Sequence, residues 1–278
     1  AGLVILMGDD PGAWGSQNEQ DTRPLGPLSE IPMLEPATPE EGRQMVRWAF
    51  DFSEALRTVV IIRITRSFSV SQENVIPLSI PKKLSTLPLD REPFRWISHP
   101  GTTVINHRRL HQNIQQATQQ FSNLPFNHLE GNGPLGIIAG GIVYSKLKNA
   151  LVGTKTSNIS ILKLSTLYPL PHDLIARFLK TCQKILVLEE VDPYLEDAIK
   201  TIGYDTGSTP TILGKRTGHV NWEGELFRWQ IQDALDDYLP EFIPEKRYKK
   251  SQWEKEKPFR KAYCAGCPYL EILTAFRE

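Results

Sequence analysis

The run GLVILMGDDPGAWGSQNEQDTR, Gly2 to Arg23, decides how the rest of the chain is read. Leu3, Val4, Ile5, Leu6 and Met7 are apolar without alternation, the pattern of a parallel strand covered on both faces. The residues after Met7 are almost all glycine, carboxylate, carboxamide and hydroxyl. Open α/β sheets place ligands in the loops at the carboxyl ends of such strands. Asp9, Asp10, Ser16, Gln17, Asn18, Glu19, Gln20 and Asp21 are therefore candidates for a site. A solvated surface loop is the alternative, because loops are polar in general.

Downstream, IPMLEPATPEEG leads into Pro39–Leu56, where Met45, Val46, Trp48, Ala49, Phe52 and Leu56 recur at helical spacing. Thr38 suits the N-cap, Pro39 the first helical position, and Glu40 and Glu41 the first turn. TVVIIRIT, Thr58 to Thr65, is a second buried strand, which makes a βαβ unit of residues 1–71. Residues 72–133 change character: proline recurs, His99, His107, His111 and His128 appear, and the segment reads as a linker with one helix. The histidine spacings make no compact ligand set, so no metal is expected there.

Clean alternation returns over residues 134–204. LGIIAGG, ISILKLS and KILVLEE are strands, interleaved with the helices IVYSKLKNALV, PHDLIARFLKTC and YLEDAIKTIG, the last closed by Gly203. The fold class is α/β, with two parallel-sheet, Rossmann-like blocks, an irregular linker and a tail. Gly140 and Gly141 could cradle a phosphate at a helix start. Tight strand-to-helix packing is the preferred reading, since a dinucleotide fingerprint needs further glycines and a following acid. Residues 205–278 read as a connector with one amphipathic helix, a solvated basic run and CAGCP at Cys264–Pro268.

Lysine plus arginine equals aspartate plus glutamate, 32 against 32 in 278 residues. No net field recruits nucleic acid or an anionic membrane, and no apolar run is long enough for a membrane span. Cys182, Cys264 and Cys267 are too few for a disulfide framework and fit a reducing cytoplasm. The chain begins on a core strand, so a fragment of a longer protein is expected. Cys264 and Cys267 can hold a soft metal, half of an iron–sulfur cluster, or a dithiol. One such pair supplies two ligands, and the others would come from outside this chain.

Six separated stretches carry one resemblance: GLVILMGDDPGAWGSQNEQDTR, IPMLEPATPEEG, GIIAGGIVYSKLKNAL, KLSTLYPLPHDLI, VLEEVDPYLEDAIK and CAGCP. The sequence resembles the thiamine diphosphate-dependent 2-oxoacid:ferredoxin oxidoreductases, most closely the large (alpha) subunits of the indolepyruvate branch. The match touches most of the chain except Gln72 to Gly133. It implies that residues 1–71 are the C-terminal half of a pyrimidine-binding domain and 134–204 a transketolase C-terminal-like domain. Residues 205–278 would then end at the start of a diphosphate-binding domain. The implied chemistry is oxidative decarboxylation of an aryl 2-oxoacid such as indolepyruvate to an acyl-CoA, with reduction of ferredoxin. The implied cofactors are thiamine diphosphate, magnesium and a 4Fe-4S cluster, held mostly outside this chain. The implied partners are a beta (gamma-type) subunit, ferredoxin, coenzyme A and the 2-oxoacid.

By the same resemblance Ser16, Gln17, Asn18 and Glu19 face cofactor and substrate, and Cys264, Gly266 and Cys267 belong to the cofactor or metal site. Asp9 and Asp10 are expected to shape the loop, and Glu19 and Asp21 to pair across subunits. The carboxylate that activates the cofactor is expected upstream of Ala1 and the magnesium segment downstream of Glu278, so the fragment alone is expected to be inactive. Val70 and Tyr269 stand where the family usually has histidine, which removes two imidazoles that could move a proton. A diverged, non-catalytic assembly or regulatory paralogue is the first alternative. An α/β protein with a metal-binding CxxC tail is the second.

Overall fold

A computed structural model of the protein describes residues 2–75, 77, 94, 97–250 and 274–275. The chain divides into two compact units, Ala1–Tyr248 and Lys249–Glu278. The elements below belong to the first. No helix among the described residues is long and apolar enough to cross a membrane.

The first sheet has the order β1-β3-β2-β7, from β1 (Leu3–Asp9), β3 (Val59–Thr65), β2 (Met33–Leu34) and β7 (Thr166–Tyr168). β1 and β3 run parallel in register from Leu3↔Val59 to Asp9↔Thr65. β2 lies parallel on the other side of β3, and β7 pairs antiparallel with β2. Helix α1 (Leu25–Ser29) lies in the β1–β2 connection and α2 (Pro39–Leu56) is the crossover to β3. The sequence reading of α2 holds: Thr38 accepts from the Glu41 N–H at 3.2 Å, and Pro39 opens the first turn. Met45, Ala49 and Phe52 of α2 pack with Leu34, Val60 and Ile62 of the sheet. Short α3 (Arg66–Ser69) follows β3, and α4 (Pro100–Phe121) adds Ala117 and Phe121 to the same core.

The second sheet has the order β4-β6-β5-β8-β9, from β4 (His128–Gly131), β6 (Ile159–Leu164), β5 (Leu135–Gly140), β8 (Lys184–Leu188) and β9 (Thr211–Leu213). All pairings are parallel except that of β4 on β6. Strand side chains alternate between faces, so two cores form. Ile137, Ile161 and Leu186 meet Val143 and Leu147 of α5 (Gly141–Ala150) and Ile231 and Leu235 of α8 (Arg228–Tyr238). Ile138, Leu162 and Val187 meet Ile175 and Phe178 of α6 (His172–Thr181) and Leu195 and Ile199 of α7 (Tyr194–Asp205). Each such side chain contributes about 1.5–3 kcal/mol by burial.

Three features depart from the sequence reading. β1 is an edge strand, and Leu3, Ile5 and Leu6 are 54%, 38% and 62% exposed, because β3 is its one paired neighbour among the described residues. Gly203 lies inside α7, which continues to Asp205. Residues beyond 204 do more than connect, since β9 extends the second sheet and α8 fills one of its cores. The short strands β2, β4, β7 and β9 have too few residues to announce a period. β7, although it comes after β6 in sequence, joins the first sheet.

Candidate functional site

The carboxyl ends of strands from both sheets are lined with buried charge. Asp9 ends β1, Glu35 follows β2, Arg63 lies near the end of β3, and Glu189 and Glu190 follow β8. Arg63 donates from Nε to Asp9 Oδ2 at 2.6 Å and from Nη1 to Glu35 Oε2 at 2.5 Å. Asp9 Oδ2 also accepts from the Thr22 N–H at 2.9 Å and its hydroxyl at 2.8 Å, which returns the loop to the strand that launched it.

Arg23, at the far end of that loop, reaches across to the second sheet. Its Nη1 meets Glu189 Oε2 at 2.6 Å, and its Nη2 donates to the carbonyls of Glu190 and Asp192 at 2.7 and 2.8 Å. Asp21 holds Nη2 at 2.6 Å and Nε at 2.8 Å. Burial works against the charge of Arg23, but Glu189 and Asp21 raise its pKa above the ordinary value. Burial also pushes Asp21 up, and the hydrogen bonds and charge of Arg23 outweigh it, so that carboxyl lies below its usual range. Glu189 caps α7 as well, accepting from the Leu195 and Glu196 N–H groups at 2.8 and 2.9 Å. Val191 sits at φ 57°, a strained position for a β-branched residue. The carbonyls on either side of it are the two that Arg23 binds.

A third cation, Lys146 of α5, joins Glu190 Oε1 at 3.0 Å, Glu225 Oε1 at 2.8 Å and the Leu226 carbonyl at 2.9 Å. Burial acts against its charge, but the two carboxylates raise its pKa. Lys215 is 2% exposed and donates to the carbonyls of Asn221 and Trp222. Burial lowers it to about 8, against the partial help of Glu189. Glu35 lies above the carboxylate range because burial outweighs the charge of Arg63. A Cβ on Gly141, at φ +49°, would fall 1.9 Å from Glu35 Oε1. The Glu35 side chain therefore lies against the start of α5 where a Cβ would stand, and the glycine pair serves close packing.

The loop carried on this layer turns its acids inward. Asp10 Oδ2 accepts from the N–H groups of Gly15 and Ser16, the latter at 2.6 Å. Burial opposes the charge of Asp10, and the N–H groups of Ser16, Gly15 and Trp14 overcome it and lower its pKa. Glu19 Oε1 accepts from the Gly12 N–H at 2.6 Å and the Gly224 N–H at 2.7 Å. Glu19 and Asp21, expected to pair across subunits, find partners within the chain, and Glu19 is a brace from the loop to the α8 approach. Ser16 donates its hydroxyl to the Asn18 carbonyl at 2.5 Å. Ser16, Gln17 and Asn18 are exposed at the tip.

Over its whole length the chain is 32% identical to the indolepyruvate oxidoreductase subunit IorA of Pyrococcus abyssi and 32% identical to that of Thermococcus kodakarensis. The IorA of Archaeoglobus fulgidus is 30% identical over the same extent. The chain is a homologue of these IorA subunits. It covers 44% of the Pyrococcus and Thermococcus IorA chains, under half their length. No family model matches it. Two solved structures share the fold. An inactive tetramer of a split-gene transketolase aligns with 86% of this chain and 67% of its own, at TM-score 0.50 and 16% identity. A 2-oxoglutarate:ferredoxin oxidoreductase from Magnetococcus marinus aligns with 77% of this chain and 45% of its own, at TM-score 0.50 and 14% identity.

Of the residues read as a site, the structure brings Ser16, Gln17, Asn18 and Glu19 together in one loop, with Glu19 committed to bracing. Cys264, Gly266, Cys267 and Tyr269 lie outside the described residues. Val70, in the position where the family resemblance implies histidine, ends α3 and is 62% exposed. The sequence reading overlooked Arg23, Arg63, Glu35, Lys146 and Glu225 as a set. One signal for them was present: an arginine inside VVIIRIT is a charge inside a buried strand, and such a charge requires buried partners.

Proposed function

We propose that the chain is the portion of a thiamine diphosphate-dependent oxidoreductase large subunit that reaches the reaction centre through the Ser16–Asn18 tip. In this reading the whole enzyme oxidatively decarboxylates an aryl 2-oxoacid, such as indolepyruvate, to an acyl-CoA and reduces ferredoxin. Residues 1–71 would supply half of the pyrimidine-binding domain, 134–204 together with β9 and α8 the transketolase C-terminal-like domain, and the residues after α8 the approach to a diphosphate-binding domain. The beta (gamma-type) subunit, magnesium and the 4Fe-4S cluster complete it, with Cys264 and Cys267 offered to the metal centre, and its setting is the cytoplasm. The observation that supports this best is the similarity to IorA along the entire chain.

The loop geometry fits such a role. Thiamine diphosphate supplies the electron sink that loss of carbon dioxide from a 2-oxoacid requires. A loop facing an anionic substrate should show neutral donors and keep its acids compensated. Gln17 and Asn18 are exposed carboxamides, whereas Asp10, Glu19 and Asp21 are each turned onto N–H groups or Arg23. The charged layer below holds the loop ends fixed through Asp9 and Arg23, so the tip is carried on a preorganised base.

Gln17→Ala and Asn18→Ala in the full-length complex test the assignment. Loss of one donor to developing charge should cost on the order of 3 kcal/mol, about a hundredfold in kcat, with the effect in kcat more than in KM. Cofactor content and folding should be unchanged. Near wild-type kcat in both variants would return the tip to the status of solvated surface. A complex that binds the cofactor yet turns over no aryl 2-oxoacid would favour the non-catalytic paralogue.

A further inference from the structure

α4 is held unevenly. Its buried residues are Ala117 and Phe121, both in the last turns, while Val104 and Ile105 toward the other end are 67% and 48% exposed. Apolar packing therefore fixes its C-terminal end and leaves the N-terminal half to other contacts. Two of those contacts converge on one carboxylate. His107 and His111, one turn apart on the same face, both direct Nε2 at Glu30, the residue that closes α1 in a left-handed conformation at φ 55°.

The separations suit a shared ion. Two donors bound at about 2.0–2.1 Å to one tetrahedral zinc lie about 3.3 Å apart. His111 Nε2 is 3.0 Å from Glu30 Oε1, and His107 Nε2 is 3.2 Å from Oε2 and 3.4 Å from Oε1. The three ligand atoms fall within 4.8 Å of one another, and the two rings sit with centroids 4.2 Å apart. Two imidazoles and one carboxylate are the donor set of borderline divalent ions such as zinc. The imidazole side chains are 55% exposed and the carboxylate 26%, so water has access to a fourth position.

We propose that Glu30, His107 and His111 form a zinc-class cation site, completed by water, that fastens the N-terminal half of α4 to the turn after α1. Histidine spacing alone pointed away from a metal in this segment, because the third ligand comes from 77 residues upstream of His107.

The test uses the 278-residue chain carrying Cys264→Ser and Cys267→Ser, so that the cysteine pair takes up no metal. After chelator treatment, calorimetric titration with Zn²⁺ should show one saturable equivalent, and Co²⁺ should give the visible absorption of a four-coordinate site. His107→Gln, His111→Gln and Glu30→Gln should each weaken Zn²⁺ by at least about tenfold, 1.4 kcal/mol, with far-UV circular dichroism unchanged. His172→Gln should leave binding intact. Absence of a saturable equivalent, or an equivalent that persists undiminished in His107→Gln and His111→Gln, would overturn the proposal.

Discussion

β1 and β6 are written in similar residues, LVILMGD against ISILKL, and have different surroundings. Every residue of β6 is buried, between β5 and β4 with helices over both faces. β1 sits at a sheet edge with Leu3, Ile5 and Leu6 exposed. An apolar run without alternation thus reports that a strand tolerates burial on both sides, and its neighbours decide whether it receives it. The same contrast recurs among the charges: Arg63, near the end of β3, is compensated by two carboxylates, whereas Lys215 meets carbonyls.

The largest effect should come from breaking the compensated side. Arg63→Met leaves Asp9 and Glu35 buried without their cation, which should cost about 3–5 kcal/mol in urea unfolding. Adding Asp9→Asn and Glu35→Gln removes the orphaned charges and should recover a large part of the loss. If the triple variant is as unstable as the single one, the cost lies in packing and the electrostatic contrast fails.

Lys215 sharpens the contrast by titration. Its folded pKa of about 8 lies below the ordinary 10.5. Between these values the unfolded chain binds the extra proton, so stability should rise with pH across that window, by on the order of 3 kcal/mol. Below about pH 8 the buried ammonium is destabilising throughout. Other groups titrate in the same range, so the measurement is the difference between wild type and Lys215→Met in denaturant midpoints from about pH 7 to pH 11. Parallel curves for the two proteins would show that Lys215 is not held against its charge.

The smallest effect on stability belongs to β1. Leu6→Lys, at a position 62% exposed, should change the unfolding free energy of this chain by no more than about 0.5 kcal/mol. It should nonetheless reduce self-association in sedimentation, because an open apolar edge strand is a template for pairing. A destabilisation comparable to that of a core truncation would mean that the β1 face is covered after all.

Much of the first architecture was legible. Thr38, Pro39 and the acids after them marked the start of α2, and the alternation over residues 134–204 gave β5, α5, β6, α6, β8 and α7 in order. The loop after β1 was singled out by residue type and position, and Asp10 as its shaper by chemistry. What escaped was short or remote. β2 has two residues and β7 three, and no period can be read in so few. The family resemblance implies that Glu19 faces a ligand, and no local pattern announces that its carboxylate also accepts from the N–H of Gly224, 205 positions away.

The sequence by itself determined the α/β class, the main strands and helices, and the presence of a polar loop at a strand's carboxyl end. Apolar periodicity and capping chemistry are local, and local patterns survive translation into one dimension. Only the tertiary structure decided which apolar strand is covered, which acids are neutralised and which face the solvent. It also brought Glu30 to His107 and His111, and Arg23 to Glu189. These are consequences of long-range pairing, since burial and electrostatic compensation depend on neighbours supplied by distant parts of the chain.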